Sequence, residues 1–246
     1  MVIAESNRKI IRGFYGILKS MDPFLRLTFI TGVTKFTKTS IFSELNNLFD
    51  ITLTDKFSSI CGIDIEDLDK YFYTYIENLA KSGRLGDYNS IHDKILAWYD
   101  GYSWNGEDRV INPFSLLSFF QQQRFASFWY ASGTPKFLMD SMKNRPGGYT
   151  KLKDIEIAEW SLDSFDIQKI EVEPLLFQTG YLTIKRVLPA IGSPFYLMDI
   201  PNFEVGEALN LNILSEFTER GEKKNNSSNR FCVPRKGQHK DGFYYT

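Results

Sequence analysis

Apolar side chains recur at helical spacing over most of the chain and at strand-like spacing in three short stretches. Residues 6–20 carry apolar side chains three and four positions apart, which predicts an amphipathic helix that ends at Asp22-Pro23. The apolar run over residues 25–31 contains several β-branched side chains and leads into Gly32 and a polar loop, so it predicts a buried strand. Residues 181–187 and 195–200 predict two further strands, joined by a turn that contains Pro and Gly.

Capping residues and apolar periodicity predict a series of helices between and around these strands. Asp64 is placed to cap a helix that runs to Leu79, and Asn112-Pro113 supplies the capping residue and the first-turn proline of another. Asp100-Gly101 ends the helix predicted before it. The other predicted helices cover residues 91–99, 125–130, 132–144, 171–179 and 202–217.

Several side chains have both a structural and a functional interpretation. The acidic residues at 64–69 could bind a metal, but carboxylates at the start of a helix are already favoured by its unpaired amides and its dipole. His92 has no second histidine or cysteine placed to share a metal, which favours a structural role. We interpret the aromatic residues at 98–104 as core rather than as a surface for base stacking, and Cys61 as a small buried side chain.

Composition describes a globular chain without a strong global charge. Of the 246 residues, 43% are hydrophobic and 15% aromatic, enough for a substantial core. The 29 basic residues nearly balance the 30 acidic ones, which gives no global attraction to nucleic acid or anionic lipid. No apolar run reaches the roughly 20 residues of a membrane helix and the start is polar, so we expect a cytoplasmic protein without membrane contact.

Residues 32–39 come within one residue of a phosphate-binding loop. They follow the pattern G-x-x-x-x-G-K-T, except that Thr37 stands where the second glycine belongs. The backbone of such a loop wraps the phosphates at φ values that disfavour a β-branched residue, and a helix should follow at once. Residues 40–54 show no convincing helical period. We therefore interpret residues 32–39 as a segment other than a working phosphate loop.

Four motifs in a fixed order carry a family resemblance. They are Thr31-Gly-Val-Thr-Lys-Phe-Thr-Lys followed by Ser40-Ile-Phe-Ser-Glu-Leu-Asn-Asn-Leu, then Trp98-Tyr-Asp-Gly-Tyr-Ser-Trp, then Asn112-Pro-Phe-Ser-Leu-Leu, and finally Ser132-Gly-Thr-Pro. With these motifs, residues 10–217 resemble a bacterial AAA-ATPase-like family of P-loop proteins whose members often end in a PD-(D/E)XK nuclease domain.

Pattern and resemblance together predict a mixed α and β chain that is mostly helical. Residues 1–54 are expected to be a remnant of an α/β P-loop ATPase core, and residues 55–148 a helical lid. Residues 149–218 predict a winged-helix-like module of helix, two-stranded wing and helix. Residues 219–246 carry seven basic and three acidic side chains in a polar run, which predicts a disordered basic tail.

The resemblance implies a role for residues 25–31 as the strand whose polar end senses the γ-phosphate of ATP. The residues expected to contact the nucleotide are Thr31, Gly32, Thr34, Lys35 and Lys38. In the family, the phosphate loop and the acidic strand that binds Mg²⁺ lie upstream of the stretch matching residues 12–20. ATP and Mg²⁺ are thus the cofactors implied for the full-length family, whereas this chain is expected to be a fragment that binds neither tightly and is catalytically inactive alone.

The nuclease of the family is not expected in this chain. Such a site needs an acidic residue and a Glu-x-Lys pair on adjacent strands to hold Mg²⁺. The only Asp/Glu-x-Lys sequence is Glu222-Lys-Lys224, which lies in a polar run without a strand pattern.

Two functions of different class stay open. The first is that of a truncated ATPase that keeps the sensor strand and the lid, with a second copy or the missing N-terminal half as its partner. The second is a non-catalytic module in which the lid and the winged helix bind protein or nucleic acid. Lys185 and Arg186 on the wing could contact phosphates, although two cations favour protein packing over DNA binding.

Overall fold

Helices and a small antiparallel sheet form the parts of the chain that the computed structural model describes, residues 2–32, 48–129, 152–163 and 172–219. About half of these residues are helical. The helices are α1 (Val2–Ser20), α2 (Ile65–Tyr71), α3 (Tyr73–Lys81), α4 (Tyr88–Tyr99), α5 (Pro113–Gln122), α6 (Glu159–Asp163), α7 (Val172–Gln178) and α8 (Phe203–Glu219). The strands are β1 (Ile155–Ala158), β2 (Thr183–Leu188) and β3 (Phe195–Asp199). The predicted mixture of α and β structure is confirmed.

The N-terminal helix is confirmed, but the strand predicted after it is wrong. α1 begins four residues before the predicted start and ends at Ser20, followed by a 3₁₀ turn at Asp22–Phe24 with Pro23 in its first positions. Residues 25–31 then run outside any helix or strand, and most of them are exposed. A strand forms only against a neighbouring strand, and the sheet in the described residues is built from segments more than 120 residues further on.

Capping side chains define the starts of the central helices. The Asp64 carboxylate accepts a hydrogen bond from the Asp67 N–H at 2.7 Å, and the Asn112 side chain accepts from the N–H groups of Phe114 and Ser115 at 3.0 and 3.3 Å. Both caps were predicted. Asp87 caps α4 through the Ser90 N–H, so this helix begins three residues before the predicted start.

Two predicted helices are altered by packing. The helix expected over residues 64–79 breaks into α2 and α3 at Phe72, whose ring stacks on Phe120 at 5.3 Å. The helix expected over residues 125–130 is absent from the part of it that is described, 125–129. There the Tyr99 hydroxyl donates to the Ala126 carbonyl and accepts from the Ala126 N–H, both at 3.2 Å, so a side chain satisfies groups that a helix would otherwise pair.

The three-stranded sheet includes one strand that the sequence pattern did not indicate. Its order is β1-β3-β2 and both pairings are antiparallel. β2, β3 and the turn between them are confirmed close to their predicted bounds, with a bulge between Ile184 and Arg186. The added strand β1 pairs Ile155 with Met198 and Ala158 with Phe195. Four residues are too few for a period of two to stand out in a sequence.

Two hydrophobic cores lie side by side, one among the central helices and one against the sheet. The helical core is centred on fully buried residues of α2 to α5, among them Leu68, Ile91 and Leu116. The sheet core gathers residues of α7, β2, β3 and α8, together with Tyr102 and Val110 from the hairpin after α4. Trp98 of α4 stacks on Phe203 of α8 at 5.6 Å, which joins the two cores. Among the described helices none is both long and apolar enough to cross a membrane.

Candidate functional site

The residues predicted to contact nucleotide are only partly within the described structure. Thr31 and Gly32 are exposed at the end of the irregular segment that follows α1. Thr34, Lys35 and Lys38 lie outside the described residues. Their grouping around a phosphate therefore stays a prediction.

The Trp98-Tyr-Asp-Gly-Tyr motif lies mainly in the interior, which confirms the interpretation of these aromatic residues as core. Tyr99 is fully buried and Tyr102 nearly so, while Trp98 and Trp104 are partly buried against the two cores. The turn within the motif needs glycine. Gly101 has φ +106°, and a Cβ at this position would collide with the Pro201 carbonyl oxygen ahead of α8. The motif thus connects α4 closely to the start of α8.

The Asn112-Pro-Phe-Ser motif joins the same interior region and brings polar groups with it. Tyr102, Asn112, Ser115, Asn202 and Glu204 form a buried polar cluster at the junction of the two cores. Burial and the negative charge of Glu204 raise the pKa of Tyr102, while the amides of Asn112 and Asn202 partly oppose them. Several polar atoms of this cluster, among them the Tyr102 hydroxyl and the Ser115 hydroxyl, have no hydrogen-bond partner among the described residues.

Glu204 supplies the carboxyl group of this cluster. Its side chain is fully buried, and Oε1 accepts a hydrogen bond from the Trp129 N–H at 2.8 Å. Oε2 has no hydrogen-bond partner among the described residues. Burial raises the pKa of this carboxyl, and the Ser115 hydroxyl and the Trp129 N–H lower it in part. A carboxyl in such surroundings favours its protonated form.

A pocket lined partly by charged residues lies beside the N-terminus of α8. It has a volume of about 250 Å³ and is lined in part by Asp100, Arg109, Lys185 and Asn202. Asp199 lies close enough to contribute to the field at Lys185. The four charged residues around this pocket are Asp100, Arg109, Lys185 and Asp199. Within the described residues none of their charged groups comes within 4.0 Å of an opposite charge.

The charges around this pocket are partly shielded from water. Burial lowers the pKa of Lys185, and the attraction of Asp199 opposes that change. Burial likewise raises the pKa of Asp100 and of Asp199. The group has two positive and two negative side chains, so the charges around this small pocket are balanced. Lys185 is partly buried and lies within electrostatic reach of these acids, whereas Arg186, the other wing cation, is exposed.

Sequence reasoning missed this pocket, although one signal was present. Asp100 is the C-cap of α4. A carboxylate at the C-terminus of a helix is disfavoured by the helix dipole, so an acidic residue at that point indicates a role other than helix stabilisation. Arg109 follows Asp100 by only nine residues, but Lys185 and Asp199 are far away in sequence, and only the packing of β2 and β3 near α4 brings them to Asp100.

The other candidate sites have structural explanations. His92 Nε2 lies 2.9 Å from Asp69 Oδ1, which confirms a hydrogen-bonded structural histidine. The acidic residues at 64–69 cap α2 or contact His92 rather than converge, and in the described ranges no group of three His, Cys, Asp or Glu side chains could hold a metal ion. Cys61 is exposed, so its interpretation as a buried side chain was wrong.

Comparison with known proteins links the N-terminal part of the chain to a family. Residues 2–42 match the family model described as Predicted AAA-ATPase. An uncharacterised protein in the vnfD 5′ region of Azotobacter chroococcum mcd 1 is 37% identical over 215 residues, which are 87% of this chain and 39% of that protein. The chain thus spans about two fifths of the length of this relative. No solved structure matches the chain. The match over residues 2–42 supports the resemblance to an AAA-ATPase-like family that the motifs indicate.

Proposed function

We propose that this chain supplies the nucleotide-sensing segment and the helical lid of an AAA-ATPase-like protein that binds and hydrolyses ATP. The observation that carries the proposal is the family match over residues 2–42, because that stretch contains Thr31, Gly32, Thr34, Lys35 and Lys38. Hydroxyl and ammonium groups of this kind can contact a γ-phosphate or orient the water that attacks it.

The chain alone is proposed to be catalytically inactive. Its sequence lacks a complete phosphate-loop pattern, because Thr37 replaces the second glycine. Mg²⁺ supplies charge neutralisation at the phosphates when it is bound in such proteins, and the resemblance implies that the acidic strand that binds it lies upstream of the stretch matching residues 12–20. Hydroxyl contacts worth about 1 kcal/mol each cannot substitute for a cradle of backbone amides and its lysine.

Calorimetry with Mg-ATP and a phosphate-release assay test this proposal. We expect no measurable hydrolysis and a dissociation constant of about 1 mM or weaker, which corresponds to about −4 kcal/mol. Lys38→Ala should likewise show no hydrolysis and a dissociation constant of about 1 mM or weaker. Micromolar binding that disappears in Lys38→Ala would instead identify residues 32–39 as a working phosphate loop and overturn the proposal.

A second candidate function is a non-catalytic protein-binding role for the sheet and its flanking helices. It is favoured by the fully exposed Ile191 at the tip of the turn between β2 and β3, since an apolar wing tip suits a protein surface better than phosphates. The inward position of Lys185 weakens the nucleic-acid alternative. Titration of a labelled DNA duplex should give no binding at 0.15 M salt, a concentration that screens weak surface charge.

A further inference from the structure

The pocket beside the N-terminus of α8, named the α8 pocket from here on, lies where three parts of the fold meet. Its wall includes Asp100 and Gly101 from the end of α4, Lys185 from β2, and residues 201–203 at the start of α8. Gly101 permits the close approach of these segments, because a Cβ there would collide with the Pro201 carbonyl oxygen. Packing between segments that are distant in sequence therefore shapes this pocket.

The two cationic side chains on the wall of the α8 pocket have no partner in the described part of the chain. Neither Arg109 nor Lys185 lies within 4.0 Å of an opposite charge, and neither side chain donates a hydrogen bond to a described residue. Asp199 attracts Lys185, but it is buried and is not among the residues that line the pocket. Lys185 is itself partly buried, and a charge withdrawn from water without a partner costs free energy. A negatively charged group in the pocket would offset that cost.

Uncharged donors lie on the same wall. α8 is 17 residues long, and the first N–H groups of a helix have no acceptor within the helix. Asn202 caps α8 by accepting a hydrogen bond from the Val205 N–H at 3.1 Å. Asn202 also lines the pocket and is nine-tenths buried, and its Nδ2 has no hydrogen-bond partner among the described residues. The positive end of the helix dipole therefore adds to Arg109 and Lys185 in favouring an anionic group.

Asp100 gives the same wall a group of opposite charge. Its Oδ1 is buried and has no hydrogen-bond partner in the described ranges. An inorganic anion would match Arg109 and Lys185 but would bring a second negative charge near Asp100. A metal ion would match Asp100 but would be repelled by the two cations. A molecule that carries one charge of each sign matches both.

We propose that the α8 pocket binds a small zwitterion of the α-amino acid class. Its carboxylate lies toward Arg109, Lys185 and the N-terminus of α8, and its ammonium group lies toward Asp100. Leu96 and Phe203, which also line the pocket, contact its carbon atoms. The pocket volume of about 250 Å³ suits a molecule of this size, since sites for larger ligands measure about 300–1,000 Å³. None of these residues belongs to the predicted nucleotide-contacting set, so the inference goes beyond the proposed function and does not depend on it.

Thermal unfolding and calorimetry with free amino acids test the inference. Each of the twenty common amino acids is added at about 10 mM, and we expect at least one to raise the midpoint of unfolding and to bind with a Kd of about 1 mM or tighter. The amine that lacks the carboxylate of that amino acid, and the acid that lacks its ammonium group, should each bind at least tenfold more weakly. Absence of binding by all twenty amino acids overturns the inference, and so does equal binding of the amino acid and its deaminated acid.

Substitutions on the pocket wall test where the amino acid binds. Arg109→Gln and Asp100→Asn should each weaken its binding at least tenfold. Arg186→Gln is the matched control, because Arg186 is an exposed cation next to Lys185 that does not line the pocket, and it should leave the affinity unchanged. Asp100→Asn should also bind the amino acid and its deaminated acid equally, because the carboxylate that selects the ammonium group is gone. A retained preference for the amino acid in Asp100→Asn would overturn the inference.

Two-dimensional NMR of the natural chain covers the case in which a variant fails to fold. Addition of the amino acid should shift the amide resonances of Gly101, Lys185 and Phe203, which line the pocket. The amide of Ile191, in the turn between β2 and β3, is the reference and should not move. Shifts that are confined to residues outside the α8 pocket would overturn the inference.

Discussion

At the scale of single residues, Glu204 makes the stability of the folded chain depend on pH. Its raised pKa means that the folded state binds more protons than the unfolded state between the usual glutamate pKa of about 4.3 and the raised value. The free energy of unfolding therefore falls as pH rises through this window. Glu204→Gln does not titrate, so we expect its stability relative to the natural chain to increase over the same window. Denaturant unfolding of both proteins from pH 4 to pH 8 measures this difference.

Glu204→Ala separates the charge from the hydrogen bond. The alanine removes the acceptor of the Trp129 N–H and leaves that buried donor unpaired, which should cost about 1–3 kcal/mol. Glutamine keeps an acceptor oxygen and avoids this loss. Parallel pH curves for Glu204→Gln and the natural chain would contradict a raised pKa at this position.

At the scale of elements, the turn after α4 depends on Gly101. Alanine would adopt a φ of +106° there and place its Cβ against the Pro201 carbonyl oxygen. We expect Gly101→Ala to lower the free energy of unfolding by about 2 kcal/mol or more, since such backbone strain costs about 1–3 kcal/mol before any collision. Thermal unfolding followed by circular dichroism measures the effect.

Gly13→Ala is the control for that substitution. Gly13 lies within α1 and a Cβ there meets no atom within 4 Å. Alanine favours a helix by about 1 kcal/mol over glycine, so Gly13→Ala should leave the midpoint unchanged or raise it. If Gly101→Ala and Gly13→Ala lost the same stability, the contact with Pro201 would not be the reason that residue 101 has to be glycine.

At the scale of the whole molecule, we expect the two cores to unfold together. Thr183 of β2 accepts a hydrogen bond from the Ser103 N–H at 2.7 Å and donates to the Ser103 carbonyl at 3.2 Å, which ties the sheet to the hairpin after α4. Thr183→Val leaves the buried Ser103 N–H unpaired, whereas the Ser103 carbonyl still accepts from the Ile184 N–H at 3.3 Å, and the loss should cost about 1–3 kcal/mol. Hydrogen exchange should show the same loss of protection at the amide of Ile91 in the helical core and at the amide of Ile184 in the sheet core.

Thr179→Val is the matched control for this coupling. Thr179 is also buried, but its hydroxyl donates within its own segment to the Leu175 carbonyl, so it joins no separate parts of the chain. Thr179→Val should lower the free energy of unfolding by less than Thr183→Val does. Loss of protection at Ile184 with unchanged protection at Ile91 would mean that the sheet opens independently of the helices.

The sequence by itself determined the elements whose cause is local. Asp64 and Asn112 cap their helices because a side-chain oxygen beside a free N–H acts within three residues. The turn between β2 and β3 and the end of α1 shortly before Pro23 follow from local backbone restrictions. The motifs also indicated a resemblance to an AAA-ATPase-like family, which the match over residues 2–42 supports.

Only the tertiary structure decided what depends on distant partners. Residues 25–31 have the composition of a strand, yet no strand among the described residues lies beside them to complete the hydrogen bonds. Three features join segments that are dozens of residues apart in sequence. They are the pairing of β1 with β3, the buried environment of Glu204 and the proximity of Asp100 to Lys185. A local pattern cannot specify such contacts, because the free energy that selects them comes from packing and desolvation after the chain has folded.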